Sequence, residues 1–157
     1  MKSNLISKSE TSAVLKIISE KWKMEFPKIK NLKVHKISSD SQIIVGNEIK
    51  ILKINDEFVP FLSETQLLEK FPYVMVDMGA VKFMCKGANV MRPGIKKNSE
   101  FQKDSVVCII EESHHKFLAV GKTLVSSEEM ENMKKGEVVK NLHYISDKFW
   151  EIGKTLS

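Results

Sequence analysis

The sequence is short of the residues that mark secreted, membrane or metal-bound proteins. Its 157 residues include only two cysteines, Cys85 and Cys108, too few for a disulfide framework or, without suitably spaced histidines, for a four-ligand metal site. No apolar run approaches the roughly 18 residues of a membrane helix. The N-terminal residues are polar, unlike a secretory signal. We therefore expect a cytoplasmic protein with buried thiols and without metal, cofactor or membrane.

Recognisable catalytic motifs are also lacking. The sequence contains no phosphate-binding loop, no dinucleotide fingerprint, no nucleophile elbow and no metal-ligand spacing. Asp77, Cys85 and His143 are residue types found in catalytic triads, but nothing in the sequence places the three together. We therefore expect that the protein is not an enzyme.

Arginine is nearly absent, and the position of the single one is informative. The chain has a formal net charge of +5, and its only arginine is Arg92. No acidic residue lies between Asp77 and Glu100, and the basic residues of this interval are Lys82, Lys86, Arg92, Lys96 and Lys97. A general preference for lysine explains the lysines without a ligand, but it does not explain the arginine. A mildly basic chain fits a polyanionic partner without requiring one.

The first half of the chain has the patterns of a small α/β unit. Ser7 and Glu10 predict a capping box that opens an amphipathic helix over residues 8–23. Two β-branched runs, 42–45 and 48–54, flank a turn and predict a hairpin. The remaining elements expected here are a strand with Leu32, Val34 and Ile37, a strand with Phe58, Val59 and Phe61, and a short helix capped by Ser63 and Gln66 that Pro72 ends.

The second half, from residue 73, predicts many short strands. A strand over residues 73–77 precedes a helix over 80–86, which Gly87 ends as a left-handed residue. The further elements expected are strands at 105–111, 117–125, 138–145 and 149–152, a tight turn at Pro93-Gly94 and a short helix capped by Ser126 and Glu129. Short strands with compact turns favour a small barrel or a curled sheet. We therefore predict the α+β class with two domains, 1–72 and 73–157.

Residues 77–95 contain three small-residue pairs whose spacing is specific. Gly79-Ala80, Gly87-Ala88 and Pro93-Gly94 resemble the signature of the PUA domain, and Val120-Gly121 resembles its strand glycine. The block 136–150, with Asn-x-His-Tyr followed by Asp-x-x-Trp, resembles one subgroup, the translation factors typified by the malignant T-cell amplified sequence protein. The resemblance extends over about residues 73–152 and is mainly architectural before them.

This resemblance implies a PUA-type β-barrel, or pseudobarrel, after an N-terminal pre-PUA α/β domain. It also implies an RNA-binding protein of translation, acting on the small ribosomal subunit or tRNA in initiation, reinitiation or recycling. The subgroup works with a partner protein that carries an initiation-factor-type domain, so such a partner is expected. Two alternatives stay open. One is an RNA-binding accessory protein of ribosome biogenesis or tRNA modification. The other is a protein-interaction adaptor without RNA affinity.

The expected RNA-binding residues follow from the PUA resemblance. They are Gly79, Lys82, Lys86, Gly87, Ala88, Asn89, Arg92, Pro93, Gly94 and Lys122. Glycines would let a ligand approach the backbone, so that phosphates could meet N–H groups at the helix start near Ala80. Lysines would add salt-dependent affinity, and the arginine would offer a planar fork to a phosphate or a base.

Each of these residues also has a reading that needs no ligand. The glycines can serve turns and close packing alone, and the lysines can form a solvated helix face. We expect Val81, Phe83 and Met84 in the core. We expect packing or hydrogen bonding for His143 and Tyr144, and core or interface positions for Trp22 and Trp150.

Overall fold

The computed structural model describes residues 1–156 as two antiparallel-rich sheets with short helices. The strands are β1 (Lys2–Leu5), β2 (Lys33–Lys36), β3 (Ser41–Gly46), β4 (Ile49–Ile54), β5 (Glu57–Pro60), β6 (Tyr73–Val76), β7 (Val90–Met91), β8 (Ile95–Asn98), β9 (Val106–Glu111), β10 (Phe117–Thr123) and β11 (Glu137–Tyr144). The helices are α1 (Lys8–Trp22), α2 (Thr65–Leu68), α3 (Val81–Met84), α4 (Ser127–Glu131) and α5 (Lys148–Gly153), with 3₁₀ turns at Met78–Ala80 and Arg92–Gly94.

The strands form one sheet in each half of the chain. The first sheet has the order β1-β2-β3-β4-β5 and is antiparallel throughout. The second has the order β7-β11-β10-β9-β6-β8, contains one parallel pair, β6 with β9, and curls into a nearly closed barrel. The predicted α+β class is therefore confirmed.

Helix α1 begins and ends as its sequence predicts. The amide of Glu10 donates to Ser7 Oγ over 3.1 Å, and the amide of Ser7 donates to Glu10 Oε1 over 3.3 Å, which confirms the capping box. Ile18 and Trp22 are buried against the first sheet, and the Trp22 indole donates to the carbonyl of Phe58. The cap of α4 at Ser126 is confirmed in the same way.

Two predicted elements are wrong. Residues 149–152 form helix α5 and not a strand, because Asp147 accepts the amide of Trp150 and caps the helix. The capping box at Ser63 and Gln66 is absent, since the Ser63 hydroxyl donates to Glu64 and the helix begins at Thr65. An apolar run as short as 149–152 has no period that separates a strand from a helix.

Strands β1 and β8 were not predicted. Each is an edge strand of its sheet, and all four residues of β1 are exposed. Two of the four residues of β8 are exposed lysines, Lys96 and Lys97. An edge strand rich in lysine lacks the alternation of apolar and polar residues by which strands are recognised, while its lysines discourage pairing with another chain.

His143 joins the two sheets through hydrogen bonds at both ring nitrogens. Its side chain is 0% exposed, and its Nε2 accepts the amide of Leu62 over 3.2 Å. Its Nδ1 lies 2.8 Å from Asp147 Oδ2. Because Nε2 accepts, Nδ1 holds the proton and donates to the carboxylate. These two hydrogen bonds link the barrel strand β11 to the segment that follows β5 of the first sheet.

The surroundings of Asp147 and Phe61 complete this junction. Burial alone would raise the pKa of the Asp147 carboxyl, but hydrogen bonds from His143 and from two backbone amides hold this pKa below its ordinary value. The Phe61 ring lies 4.7 Å from the His143 ring and 6.2 Å from that of Trp150, centroid to centroid. A Cβ at Gly153 would lie only 2.1 Å from Phe61, so α5 packs closely on the first sheet. Trp150 is therefore an interface residue.

We predict that His143→Phe destabilises the fold by about 3 kcal/mol, measured by urea unfolding. Phenylalanine keeps an aromatic ring beside Phe61, but it leaves the amide of Leu62 without its acceptor and the carboxylate of Asp147 without its donor. The control, His114→Phe in an exposed turn, is expected to change stability by less than about 0.5 kcal/mol. A loss below about 1 kcal/mol for His143→Phe would contradict the proposed junction.

Candidate functional site

The predicted site residues between Gly79 and Gly94 lie together at one end of the barrel. Strand β6 leads into the first 3₁₀ turn and α3, and β7 leads into the second 3₁₀ turn. The amide of Asp77 donates to the carbonyl of Gly94 over 3.0 Å, which ties the two turns together. A cavity of about 400 Å³ opens between them, lined by Val76, Gly79, Ala80, Phe83, Met91 and Gly94 among others.

Carboxylates of the protein accept two of the backbone amides of the first turn. Asp77 Oδ1 accepts the amide of Ala80, and Glu112 Oε2 accepts the amide of Met78, each over 3.0 Å. The sequence-based expectation that phosphates meet N–H groups near Ala80 is therefore wrong for these two amides.

Three cations close in sequence to the cavity lining have no carboxylate partner in the described part of the chain. Lys82 on α3 and Lys86 in the turn after it are exposed, and among residues 1–156 neither they nor Arg92 forms an ion pair. The Nε of Arg92 donates to the carbonyl of Met130 over 2.8 Å, which fixes the guanidinium and leaves its terminal nitrogens free of that bond. The amide of Arg92 donates to the carbonyl of Gly136, so the exposed Lys134, Lys135 and Glu137 lie near the same edge.

The loop after α3, which contains Gly87, Ala88 and Asn89, is bound to strand β11 through Asn141. Asn89 Oδ1 accepts the amide of Asn141, and Asn141 Nδ2 donates to the carbonyls of Met84 and Ala88. Asn141 belongs to the Asn-x-His-Tyr block, but its role at the site was not predicted. These contacts hold the loop after α3 on strand β11.

The glycines of the site differ in what they require. Gly87 has a φ of +89°, as predicted for the residue that ends the helix, and a Cβ there would lie 2.9 Å from the Tyr144 ring. At Gly94 the nearest atom to a Cβ would be the Cβ of Ala80, at 3.9 Å, an ordinary contact. Gly87 therefore serves the backbone conformation, whereas Gly94 lies at the mouth of the cavity, next to the exposed Pro93.

Lys122 is not brought together with the other predicted site residues. It lies on β10, and its Nζ is 2.8 Å from Glu57 Oε1 of the first sheet. Its ammonium group is therefore paired across the junction of the two sheets. Lys122 supports the packing of the two halves more directly than it supports a ligand at the cavity.

The structure adds an exposed apolar group that sequence reasoning missed. Phe83 and Met91 line the cavity and are 51% and 47% exposed, and Met78, next to the lining residue Gly79, is 50% exposed. The expectation that Phe83 is a core residue is wrong, whereas Met84 is buried. Helix α3 is a single turn, so neighbouring residues cannot both face the core.

Residues 72–145 match the family described as the PUA domain. Translation machinery-associated protein 20 of Eremothecium gossypii is 32% identical over 133 residues, which cover 79% of this chain and 74% of that protein. Malignant T-cell-amplified sequence 1 of Rattus norvegicus is 34% identical over 119 residues, which cover 66% of this chain and 65% of that protein. The chain belongs to this family of PUA-domain proteins.

A solved structure extends the likeness of this PUA-domain chain across both halves. A hypothetical protein from the hyperthermophilic archaeon Pyrococcus horikoshii OT3 superposes with a TM-score of 0.79 at 27% sequence identity. The match covers 96% of this chain and 99% of that one. The first sheet is therefore part of the shared fold.

Metal-binding clusters and reactive thiols are not found at the site. Within residues 1–156 no group of three or more His, Cys, Asp or Glu side chains is placed to hold a metal ion. Burial raises the pKa of Cys108 to about 12 and also raises that of Cys85, so both thiols favour the protonated form. None of the helices in this range is long and apolar enough to cross a membrane.

We predict that Gly87→Ala destabilises the protein by more than about 1 kcal/mol, whereas Gly94→Ala changes stability by less than about 0.5 kcal/mol. An alanine at residue 87 would hold a positive φ and push its Cβ against Tyr144. Thermal unfolding of the two variants side by side measures this difference. Equal stabilities would show that Gly87 is not needed for the backbone.

Proposed function

We propose that the protein binds RNA through the surface formed by Lys82, Lys86, Arg92 and the adjoining apolar cavity, and that it does so in translation. The observation behind this proposal is that three cations, which form no ion pair within residues 1–156, lie within two residues of side chains that line the cavity, among them the exposed Phe83 and Met91. The proposed role is one of binding, without a catalytic step.

The chemistry of this surface suits an RNA phosphate backbone beside an unpaired base. Lysine ammonium groups meet phosphates as point charges, and the terminal nitrogens of Arg92 offer the fork that lysine lacks. Phe83 and Met91 provide an apolar wall on which a base can stack. Duplex ends and single-stranded ends present both groups together, whereas a continuous duplex keeps its bases stacked inside.

The role in translation follows from the relatives. One relative is named a translation machinery-associated protein, and it shares most of its length with this chain. Within translation, we propose binding to the small ribosomal subunit, to tRNA, or to both, during initiation, reinitiation or recycling. A cytoplasmic location and a partner protein with an initiation-factor-type domain belong to the same proposal.

Docking of a protein partner is a second candidate function for this surface. Phe83 and Met91 line the same cavity and are half exposed, and clustered exposed apolar side chains commonly mark protein interfaces. The amides of Met78 and Ala80, which a phosphate would use, are occupied by carboxylates. These observations favour an apolar contact at this end of the cavity and leave the cations to RNA.

We predict that Lys82→Gln, Lys86→Gln and Arg92→Gln, combined in one variant, weaken RNA binding at least about tenfold at low salt. The slope of log affinity against log salt concentration should also become shallower by about 2. Each phosphate contact in a single strand contributes roughly 0.7 to this slope, and up to three contacts are lost. Fluorescence anisotropy with a labelled stem that has an unpaired 3′ end measures both quantities.

The matched control for this triple variant removes the same charge elsewhere. It combines Lys8→Gln, Lys16→Gln and Lys36→Gln. These lysines lie on α1 and β2, are exposed and form no ion pair among residues 1–156. We expect this variant to keep most of the wild-type affinity. An equal loss in both variants would mean that net charge alone, and not this surface, attracts RNA.

Phe83→Ala separates the two candidate functions. If a base stacks on Phe83, the variant binds the unpaired-end RNA about tenfold more weakly, since stacking contributes about 1 to 3 kcal/mol per base. The salt dependence should not change, because no charge is removed. Unchanged RNA affinity with loss of a partner protein in pull-downs would favour the docking function. Ser113→Ala, in the exposed β9–β10 turn, is the control.

A further inference from the structure

Strand β8 leads from the candidate RNA surface to the junction of the two halves. Ile95 pairs with Val76, beside the cavity, and Asn98 pairs with Val74. The amide of Ser99 then donates to the carbonyl of Tyr73. Four strand residues span about 13 Å, at roughly 3.3 Å each. The sheet edge therefore connects the end of the barrel that holds Arg92 with the opposite end.

A cleft of about 280 Å³ lies at that opposite end, between the two halves. Its walls are the end of α1, the residues before β6 and the loop before β9. The Trp22 and Phe71 rings meet there edge to face, 5.0 Å apart, and both are buried. The cleft thus lies between two elements of the first half and one loop of the barrel, and polar and apolar residues both line it.

The rim of this cleft is basic. Its charged residues are Lys21, Lys23, Lys70, Lys103 and Asp104. Lys21 donates to the carbonyl of Asp56, whereas Lys23, Lys70 and Lys103 are exposed and, within residues 1–156, without an ion pair. The rim therefore carries three ammonium groups without ion pairs in the described part of the chain, and the single carboxylate of Asp104 does not balance their charge.

The edge between the two sites is basic as well. From residue 92 to residue 103 the basic residues are Arg92, Lys96, Lys97 and Lys103, against a single acid, Glu100. Lys96 and Lys97 are both exposed because β8 ends its sheet. Positive charge is consequently spread along one edge rather than collected at one point.

We propose that an RNA strand held at the candidate surface continues along β8 and reaches the basic cleft at the junction. This inference rests on the proposed RNA-binding function. A strand carries one phosphate per nucleotide, so a single strand can meet cations that are spread along this edge. A peptide could pair with the edge of β8 only beside the lysines that discourage such pairing. The recess between Trp22, Phe71 and the rim lysines receives the end of the strand.

The test compares oligouridines of about 4 and about 12 nucleotides, lengths within the range that single-strand sites cover. The cleft variant combines Lys23→Gln, Lys70→Gln and Lys103→Gln. We expect it to bind the long strand about tenfold more weakly, with a salt slope lower by about 2, and to bind the short strand like the wild type. Unchanged short-strand binding shows that the variant is folded.

The control Lys8→Gln, Lys16→Gln, Lys36→Gln is expected to bind the long strand as the wild type does. The inference is overturned if the cleft variant keeps full long-strand affinity, or if both variants lose it equally. It is also overturned if a glutamate-rich peptide binds the wild type and loses affinity in the cleft variant, while the long strand keeps its affinity. Failure of the RNA function itself looks different, because the wild type would then bind neither strand.

Discussion

The hydrogen-bonded chain from Asp147 through His143 to the amide of Leu62 determines how the two halves of the molecule meet. A buried imidazole with both nitrogens satisfied tolerates little displacement, because either lost bond leaves a buried polar group unpaired. Phe61, Trp150 and α5 pack around this chain, and Lys50 adds bonds to the carbonyls of Gly153 and Leu156. The first sheet is thereby fixed against the barrel at the end of β11.

The same strand shapes the candidate RNA surface. Asn141 binds the loop after α3, and Tyr144 lies against Gly87, while His143 between them binds the first sheet. One block of sequence therefore sets both the junction and the position of Lys82 and Lys86. This arrangement gives the small PUA-type barrel, which alone would have a marginal core, a rigid support for a surface of flexible lysines.

Sequence reasoning reached the parts of the molecule that depend on local chemistry. The left-handed Gly87 and the capping box of α1 follow from neighbouring residues alone, and both are confirmed. The exposure of Phe83 is different, because α3 has a single turn and the fold decides which of its side chains faces the sheet. The amide of Met78 is occupied by Glu112, which lies 34 residues further along the chain. Contacts at such separations are set by the fold, so the local sequence did not predict them.

The cleft at the junction was beyond sequence reasoning for the same reason. Its lysines come from positions near residues 21, 70 and 103, and only the packing of the two halves brings them to one rim. The basic interval after Asp77 is visible in the sequence because one short segment, which contains no acid, carries all its cations. Surface charge is thus predictable from sequence when one segment supplies it, and not when several segments converge.

Sequencing the RNA crosslinked to the protein in cells, together with mapping of the crosslinked peptides, tests whether the surface of Lys82, Lys86 and Arg92 binds RNA. We expect mature small-subunit ribosomal RNA or tRNA, with crosslinks concentrated between residues 77 and 97. Recovery of no more RNA than the Lys82, Lys86 and Arg92 variant recovers would contradict it. Crosslinks confined to the first sheet would also contradict it.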